Sequence, residues 1–267
     1  MKIGFIGAGN MGGAILKGYA DTAAQKGDQI LVYDKREENG KALEAQFAVV
    51  SARSSEKELT RDSDVIILGV KPNMFEDLLP QIAGECGSEK VIVSMAAGVS
   101  IGFIEGYLGS DRRIIRIMPN TPAQVGESMV AVCRNKNVDD ETFGKVFGIF
   151  EAIGRAEEVD EELIHCVIGV SGSSPAYTYM YIDALIQAAV DHGMAPEKAK
   201  IFAAQSVLGA AKMVLENDIS VEQLRINVCS PGGTTIEAVN KLFENGFMDN
   251  IKEGFAAAVE KSKVMTK

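Results

Sequence analysis

The chain has 267 residues, of which 46% are hydrophobic and 24% are charged, enough for one large domain or two moderate ones. Its formal net charge of −10 argues against general nucleic-acid binding, and the absence of any apolar run near the roughly 18 residues of a membrane span predicts a soluble, cytoplasmic protein that contacts no membrane. Four scattered cysteines without a CxxC pair and only two histidines predict neither a metal site nor a disulfide framework.

The first predicted elements are a strand, a glycine-rich turn and a helix. The apolar run KIGFIG is followed by GAGNMG and by a helical pattern over residues 10–26. In this setting the first glycine makes the tight turn, the second lets the backbone approach a pyrophosphate, and the third allows close helix packing. The alternative is a strand-to-helix corner without a ligand. The predicted phosphate-binding residues are Gly7, Gly9, Asn10, Met11 and Gly12.

The second predicted strand, QILVYD, ends in an acidic residue that two basic residues follow. Asp34 stands 22 positions after Gly12, where an acid would accept hydrogen bonds from the ribose hydroxyls of NAD. Lys35 and Arg36 would instead pair with the extra phosphate of NADP, or would simply begin a solvated helix. All three residues are predicted to bind the cofactor, and the two signals conflict over which dinucleotide it is.

Three further runs, DVIILGV, KVIVSM and RRIIRIMP, complete the predicted parallel sheet. The loops after them would lie at the carboxyl ends of the strands, where open α/β sheets bind ligands. Lys71 would meet a cofactor phosphate or ribose, or is only a solvent-exposed loop lysine. The small residues of MAAG would leave room for a nicotinamide ring, or are small only because helices pack tightly there. The loop residues predicted to bind the cofactor are Val70, Lys71, Pro72, Ala96, Ala97, Gly98 and Asn120.

The pattern changes near residue 160, where strand-like runs give way to helical spacing. We therefore predict an α/β, Rossmann-type dinucleotide-binding domain over residues 1–160 and an all-α domain over residues 161–267. The predicted helices over 175–194 and 196–217 are rich in alanine and carry apolar residues on more than one face. Such helices favour a homodimer or a higher homo-oligomer, because a domain of this size can hardly cover them alone.

The stretch SPGGTTIEAV is the most informative part of the second half. A Ser-Pro-Gly-Gly segment cannot continue a helix, whereas the residues after it read as the start of one. The amides of Gly233, Thr234 and Thr235 would then face an anion at the helix N-terminus. The alternative is that Thr234 or Thr235 is an ordinary N-cap.

The motifs GVKP, MAAG, MPNTPA, SGSSPAY and SPGGTT, in this order, resemble the pyrroline-5-carboxylate reductase family. The resemblance spans essentially the whole chain. It implies hydride transfer from NADPH, or from NADH, to the C=N bond of 1-pyrroline-5-carboxylate to give L-proline, and interlaced C-terminal helices in the oligomer. It also implies that the anion at Gly233 to Thr235 is the substrate carboxylate and that the catalytic Thr235 contacts the ring nitrogen. One departure is Ser174, where the family usually has glycine.

Two other functions remain open at this stage. A β-hydroxyacid dehydrogenase-like enzyme would need a catalytic lysine in the helical half, for which Lys198, Lys200 and Lys212 are the candidates. A dinucleotide-sensing module would bind the cofactor without turnover. Oxidation of the cofactor with and without pyrroline-5-carboxylate separates the three.

Overall fold

Short apolar runs form the strands of one sheet in the computed structural model, which describes all residues from Met1 to Lys267. The strands are β1 (Lys2–Ile6), β2 (Gln29–Tyr33), β3 (Val50–Ala52), β4 (Val65–Leu68), β5 (Val91–Ser94), β6 (Arg113–Met118), β7 (Ser128–Arg134) and β8 (Gly154–Glu158). Their order across the sheet is β3-β2-β1-β4-β5-β6-β7-β8. All neighbours pair in parallel except β6 and β7, which are antiparallel. The chain order reverses between β1 and β4, which makes this the topological switch point of a Rossmann-type sheet.

The five predicted strands are confirmed as β1, β2, β4, β5 and β6, and no strand follows residue 158. Sequence reasoning missed β3, β7 and β8. β3 has only three residues, and β8 reads GRAEE, with no large apolar residue. β8 lies at the edge of the sheet, where a strand needs to bury little of its surface. Its polar sequence therefore gives no apolar pattern from which a strand could be predicted.

Helices cover both faces of the sheet and make up the second half of the chain. The predicted helix over 10–26 is confirmed, and it ends at Gly27, whose φ of 71° is left-handed.

Ser174 is the first residue of a helix, and no residue other than glycine has a positive φ, so a glycine is not required there. Every helix falls short of the length or the apolarity that a membrane crossing needs. The helices are α1 (Asn10–Lys26), α2 (Glu37–Gln46), α3 (Glu56–Asp62), α4 (Phe75–Ile82), α5 (Ile101–Leu108), α6 (Asp140–Glu151), α7 (Ile164–Val167), α8 (Ser174–Asp191), α9 (Pro196–Glu216), α10 (Val221–Val228), α11 (Thr234–Glu244) and α12 (Phe247–Met265).

The core consists of two apolar clusters, one on each face of the sheet. Successive strand residues point to opposite faces, so Ile30 and Val32 enter one cluster and Leu31 enters the other. The first cluster includes residues of α1 and α6, and the second includes residues of α4 and α5. Both faces being covered explains why the strands are almost continuously apolar.

The division into compact units differs from the boundary predicted at residue 160. The first unit comprises Met1–Gly172 together with Ala258–Lys267, and the second comprises Ser173–Ala257. Ile164 is fully buried in the cluster that contains α4 and α5. Ser262 is 7% exposed and its hydroxyl lies 2.8 Å from Nδ1 of His165. These contacts hold both ends of the predicted helical domain to the sheet unit.

The second unit has almost no buried interior of its own. Between Ser173 and Ala257 only Ala199 and Ala203 are buried. Large apolar side chains instead face outwards, including Met180 (73% exposed), Ile201 (67%) and Phe202 (64%). An apolar surface of this kind marks an interaction site.

Candidate active site

The loops predicted to bind a cofactor lie at one edge of the sheet. They follow β1, β2, β4, β5 and β6, which run parallel, so their carboxyl ends meet at the same edge. A cavity of about 590 Å³ opens there, at the switch point between β1 and β4. Predicted residues that line it are Gly7, Gly9, Asp34, Lys35, Arg36, Val70 and Lys71.

The fold itself explains two of the three glycines in the turn after β1. Gly7 has a φ of +94°, and a Cβ there would lie 2.9 Å from the carbonyl oxygen of Gly69. A Cβ at Gly12 would lie 2.3 Å from the carbonyl oxygen of Gly7. These two positions need glycine because backbone packs against backbone.

Gly9 is different, because nothing in the fold requires a glycine there. Its φ is −67°, and a Cβ would have no atom within 4 Å. Gly9 is the N-cap of α1 and offers no side-chain cap to the first amides of the helix, so these amides are free for an anion. The open space over Gly9 therefore fits the pyrophosphate of a dinucleotide, for which the backbone must be approached closely.

Asp34 connects the end of β2 to the glycine turn. One carboxylate oxygen accepts a hydrogen bond from the amide of Ala8 at 2.8 Å, and the other accepts one from the amide of Arg36 at 2.9 Å. The side chain is 11% exposed. Its contact with a ribose stays a prediction, and a ribose would have to share oxygens that already bind the backbone.

The two basic residues after Asp34 remain accessible. Lys35 is exposed, and the Arg36 side chain is 73% exposed. Arg36 forms one ion pair, with Asp34, in which Nε lies 4.0 Å from the nearer carboxylate oxygen. Both positive charges are thus available to a phosphate in the cavity.

Tyr33 and Glu56 line the same cavity, and sequence reasoning did not single them out. Burial raises the pKa of Tyr33, and the charge and hydrogen bond of the Glu56 carboxylate raise it further. Tyr33 is the last residue of β2 and Glu56 is the first of α3. Their positions in the sequence could have indicated them, because Tyr33 ends a strand and Glu56 begins a helix at the ligand-binding edge.

In the loops after β4 and β5, some of the residues predicted to bind the cofactor line the cavity and others are buried or lie outside it. Lys71 is exposed and lies in the cavity, whereas Pro72 does not line it. Ala96 is 3% exposed and packs in the apolar core, so a cofactor would meet its backbone rather than its methyl group. Gly98 is buried and has a φ of +75°, which explains the glycine by conformation.

The side chain of Asn120 organises the loop after β6. Its carbonyl oxygen accepts hydrogen bonds from the Ser128 hydroxyl at 3.1 Å and from the Met129 amide at 3.0 Å. Its amide nitrogen donates to the carbonyl oxygen of Ser171 at 3.1 Å. Asn120 is 9% exposed. This side-chain amide is already used within the fold, and the backbone carbonyl oxygen of Asn120 accepts the Ala123 amide at 3.1 Å. The contact of Asn120 with a cofactor stays a prediction.

Arg116 is a buried cation that sequence reasoning missed, although an arginine inside the apolar run RIIRIM was a signal. It is 2% exposed, and its Nη1 lies 2.8 Å from a carboxylate oxygen of Glu161. The same oxygen accepts the amide of Ile101 at 2.8 Å, while Nε and Nη2 of Arg116 have no partner. The ion pair fixes β6 to the start of α5.

The helix after SPGG begins as predicted, at Thr234. One part of the prediction is wrong: the Gly233 amide is not free, because it donates to the carbonyl oxygen of Ser230 at 3.0 Å. Gly233 is the N-cap, so neither threonine has that role, and Thr235 is half-buried without a hydrogen bond from its hydroxyl. The free amides of the first turn begin at Thr234.

The cysteines have no catalytic surroundings. All four are free thiols, and Cys86 and Cys133 are buried. Burial raises the pKa of Cys86 to about 11 and that of Cys133 to about 12, which makes both poor nucleophiles. No three His, Cys, Asp or Glu side chains lie where they could share a metal ion.

Comparison with protein families matches both halves of the chain. Residues 161–265 match the model described as pyrroline-5-carboxylate reductase dimerisation. Residues 2–98 match the model described as NADP oxidoreductase, coenzyme F420-dependent. The first match begins where the sequence pattern changes to helical spacing.

Full-length relatives carry one name. A pyrroline-5-carboxylate reductase of Escherichia coli K12 is 45% identical over 100% of this chain and 98% of its own length. One of Arabidopsis thaliana is 34% identical over 99% of this chain and 95% of its own. A crystal structure of the Plasmodium falciparum pyrroline carboxylate reductase with NADP bound is 34% identical, with a TM-score of 0.89 over 100% of this chain and 98% of that one.

Proposed function

The chain belongs to the pyrroline-5-carboxylate reductase family, and we propose that it reduces the C=N bond of 1-pyrroline-5-carboxylate to give L-proline, the last step of proline biosynthesis. The observation that carries the cofactor part of the proposal is Gly9, a glycine that the fold does not need and a dinucleotide does. The substrate is proposed from the full-length relatives, which share one name. The chain is accordingly an NAD(P)H-dependent oxidoreductase that acts on a C–N bond. Its predicted location in the cytoplasm stays a prediction.

The residues of the sheet unit bind and align the cofactor. The first amides of α1 hold the pyrophosphate, and Lys71 reaches a phosphate or a ribose from the loop after β4. The loop over residues 96–98 lies beside the nicotinamide. When bound, the nicotinamide cofactor supplies the hydride, so the protein needs no nucleophile or metal of its own.

The N-terminus of α11 binds the substrate. The amides of its first turn, beginning at Thr234, attract the substrate carboxylate through hydrogen bonds and the helix dipole. The Thr235 hydroxyl has no partner in the chain, so it is free to hydrogen-bond the ring nitrogen. A threonine is a weak acid, and its role is to orient the imine and assist delivery of a proton to that nitrogen.

The preferred cofactor is NADPH. This choice rests on Lys35 and Arg36, which are exposed at the cavity while the competing acid Asp34 is held by backbone amides. Replacing both basic residues by alanine should weaken NADPH binding by roughly tenfold, since a hydrogen bond to a charged group is worth about 1.5 kcal/mol or more. The dissociation constant for NADH should stay within twofold.

The control for this prediction is Lys41→Ala, which removes a positive charge from α2, the helix that follows Lys35 and Arg36. Lys41 pairs with Glu37 at 2.7 Å and does not line the cavity. Isothermal titration calorimetry with each cofactor measures both affinities. If the ratio of the NADPH dissociation constant to the NADH dissociation constant is the same in the double variant and in the wild type, the NADPH assignment is refuted.

The second unit forms a homodimer or a higher homo-oligomer through the apolar residues that it leaves exposed. Phe202 is 64% exposed on α9, where it would be buried by a partner helix. Phe202→Glu should therefore shift the protein towards the monomer and lower its activity in parallel, because a buried unpaired charge is costly.

Sedimentation velocity at assay concentrations measures this shift. Lys200→Glu is the matched control, because it places the same residue at an exposed polar position of α9 that does not share a face with Phe202, and it should leave the oligomer intact. A wild-type protein that is fully active as a monomer would rule out the requirement for a dimer.

The two alternatives predict different kinetics. Lys198, Lys200 and Lys212 are all exposed on α9 and form no ion pair within the chain. A sensing module would bind NADPH without consuming it. Following NADPH absorbance with and without 1-pyrroline-5-carboxylate tests the proposal, and the absence of substrate-dependent oxidation by the folded oligomer would refute it.

A further inference from the structure

The last residues of the chain contact the loop that follows β5. The amide of Lys267 donates to the carbonyl oxygen of Gly98 at 2.8 Å. The Ser100 hydroxyl donates to the carbonyl oxygen of Lys267, also at 2.8 Å. These two bonds connect the segment Met265–Lys267, hereafter the C-terminal clamp, to Gly98 in the turn at residues 97–98 and to Ser100 just after it.

Side chains strengthen the same attachment. The Lys267 ammonium forms an ion pair with Glu76 in α4 and lies 5.9 Å from the centroid of the Phe103 ring in α5. One turn earlier, the buried Ser262 bonds His165. The clamp is therefore held in place by three elements of the sheet unit.

The clamp packs closely against the backbone of Gly98. Besides its positive φ, a Cβ at this position would lie 2.6 Å from the carbonyl oxygen of Met265. A side chain here would force the clamp away from the loop. Glycine at 98 thus serves the contact with the clamp as well as the turn.

The bonds within the loop are longer than those to the clamp. The Val99 amide donates to the Ala96 carbonyl oxygen at 3.4 Å, and the Ala96 amide donates to the Ser94 hydroxyl at 3.3 Å. Since hydrogen bonds weaken with length, the loop depends on the clamp for its shortest contacts at Gly98 and Ser100.

We propose that the C-terminal clamp is a positioning element, which fixes the loop over residues 96–100 so that the nicotinamide is held at the correct angle for hydride transfer. The proposal rests on the proposed function, because it needs this loop to lie beside the nicotinamide. The clamp performs no chemistry itself. It acts on the rate because small displacements of reacting groups reduce turnover strongly while changing binding little.

A pair of substitutions at Lys267 isolates the backbone contact. Lys267→Ala removes the ammonium and keeps the amide donor, whereas Lys267→Pro removes both. Lys263→Ala is the control, since Lys263 is exposed on α12, the helix that leads into the clamp, and pairs only with Glu260. The measurements are amide hydrogen exchange at residues 98–101, the NADPH dissociation constant, kcat, and the thermal midpoint.

Lys267→Pro should speed exchange at residues 98–101 and lower kcat by roughly tenfold, with the NADPH dissociation constant within twofold and the thermal midpoint unchanged. Lys267→Ala should have a smaller effect on both exchange and kcat, and Lys263→Ala none. Unchanged exchange in Lys267→Pro, or a fall in kcat matched by equal loss of NADPH affinity or of thermal stability, would overturn the proposal. The exchange result does not depend on the substrate, so it separates failure of the clamp from failure of the proposed function, which would show as a wild type without substrate-dependent turnover.

Discussion

Gly9→Val should yield a folded protein that binds NADPH roughly a hundredfold more weakly than the wild type, because it loses about two hydrogen bonds from backbone amides to a charged pyrophosphate. The fold leaves open space over this position. The valine side chain would fill this space, through which the phosphates must approach the backbone. Isothermal titration with NADPH and a thermal melt of the same sample measure the two expectations.

Two other glycines are the controls for this variant. Gly12→Val should destabilise the protein itself, since its Cβ would lie 2.3 Å from the Gly7 carbonyl oxygen. Gly102→Val should change neither stability nor affinity strongly, because a Cβ there also meets open space and the residue is outside the cavity. A folded Gly9→Val protein with wild-type affinity would show that the turn is only a corner between strand and helix.

The central part of the site was predictable because each signal is local. Strand β1, the glycine turn and α1 are consecutive, so the type and order of their residues specify the corner. The loops after β4, β5 and β6 could be placed at one edge because parallel strands all end there. The start of α11 was predictable because proline and two glycines cannot continue a helix.

The interactions that the sequence did not reveal join residues far apart in the chain. Asp34 bonds Ala8 across 26 residues, Arg116 pairs with Glu161 across 45, and Ser100 bonds Lys267 across 167. Each residue type has many possible partners, and only the packed fold selects one. The attachment of Ile164 and Ser262 to the sheet unit was not predictable for the same reason, because their burial depends on elements elsewhere in the sequence.

The first amides of α11 show that a local sequence pattern does not predict every hydrogen bond. Sequence reasoning assigned the Gly233 amide to the ligand, yet a tight turn gives it an internal acceptor in Ser230. Turns of this kind often bond the carbonyl of residue i to the amide of residue i+3, and the two residues stand in that relation. The proposed substrate carboxylate site therefore consists of the amides that follow Gly233.

Thr235→Ala should lower kcat/KM by roughly ten- to hundredfold, because one hydrogen bond to a charged group is worth about 1.5 to 3 kcal/mol. NADPH affinity should not change, since Thr235 does not line the cavity at the glycine turn. Thermal stability should also be nearly unchanged, because Gly233 is the N-cap of α11 and the Thr235 hydroxyl bonds nothing in the chain.

Thr235→Ser is the matched control, because it keeps the hydroxyl and removes only a methyl group, and it should retain most of the activity. Thr234→Ala changes the neighbouring exposed threonine at the first position of the same helix and should leave kcat/KM within a few-fold of the wild type. Steady-state kinetics with 1-pyrroline-5-carboxylate, together with thermal melts, distinguish the outcomes. Full catalytic efficiency in Thr235→Ala combined with a lower melting temperature would mean that the hydroxyl stabilises the helix only, and the group that orients the ring nitrogen would then have to be another residue.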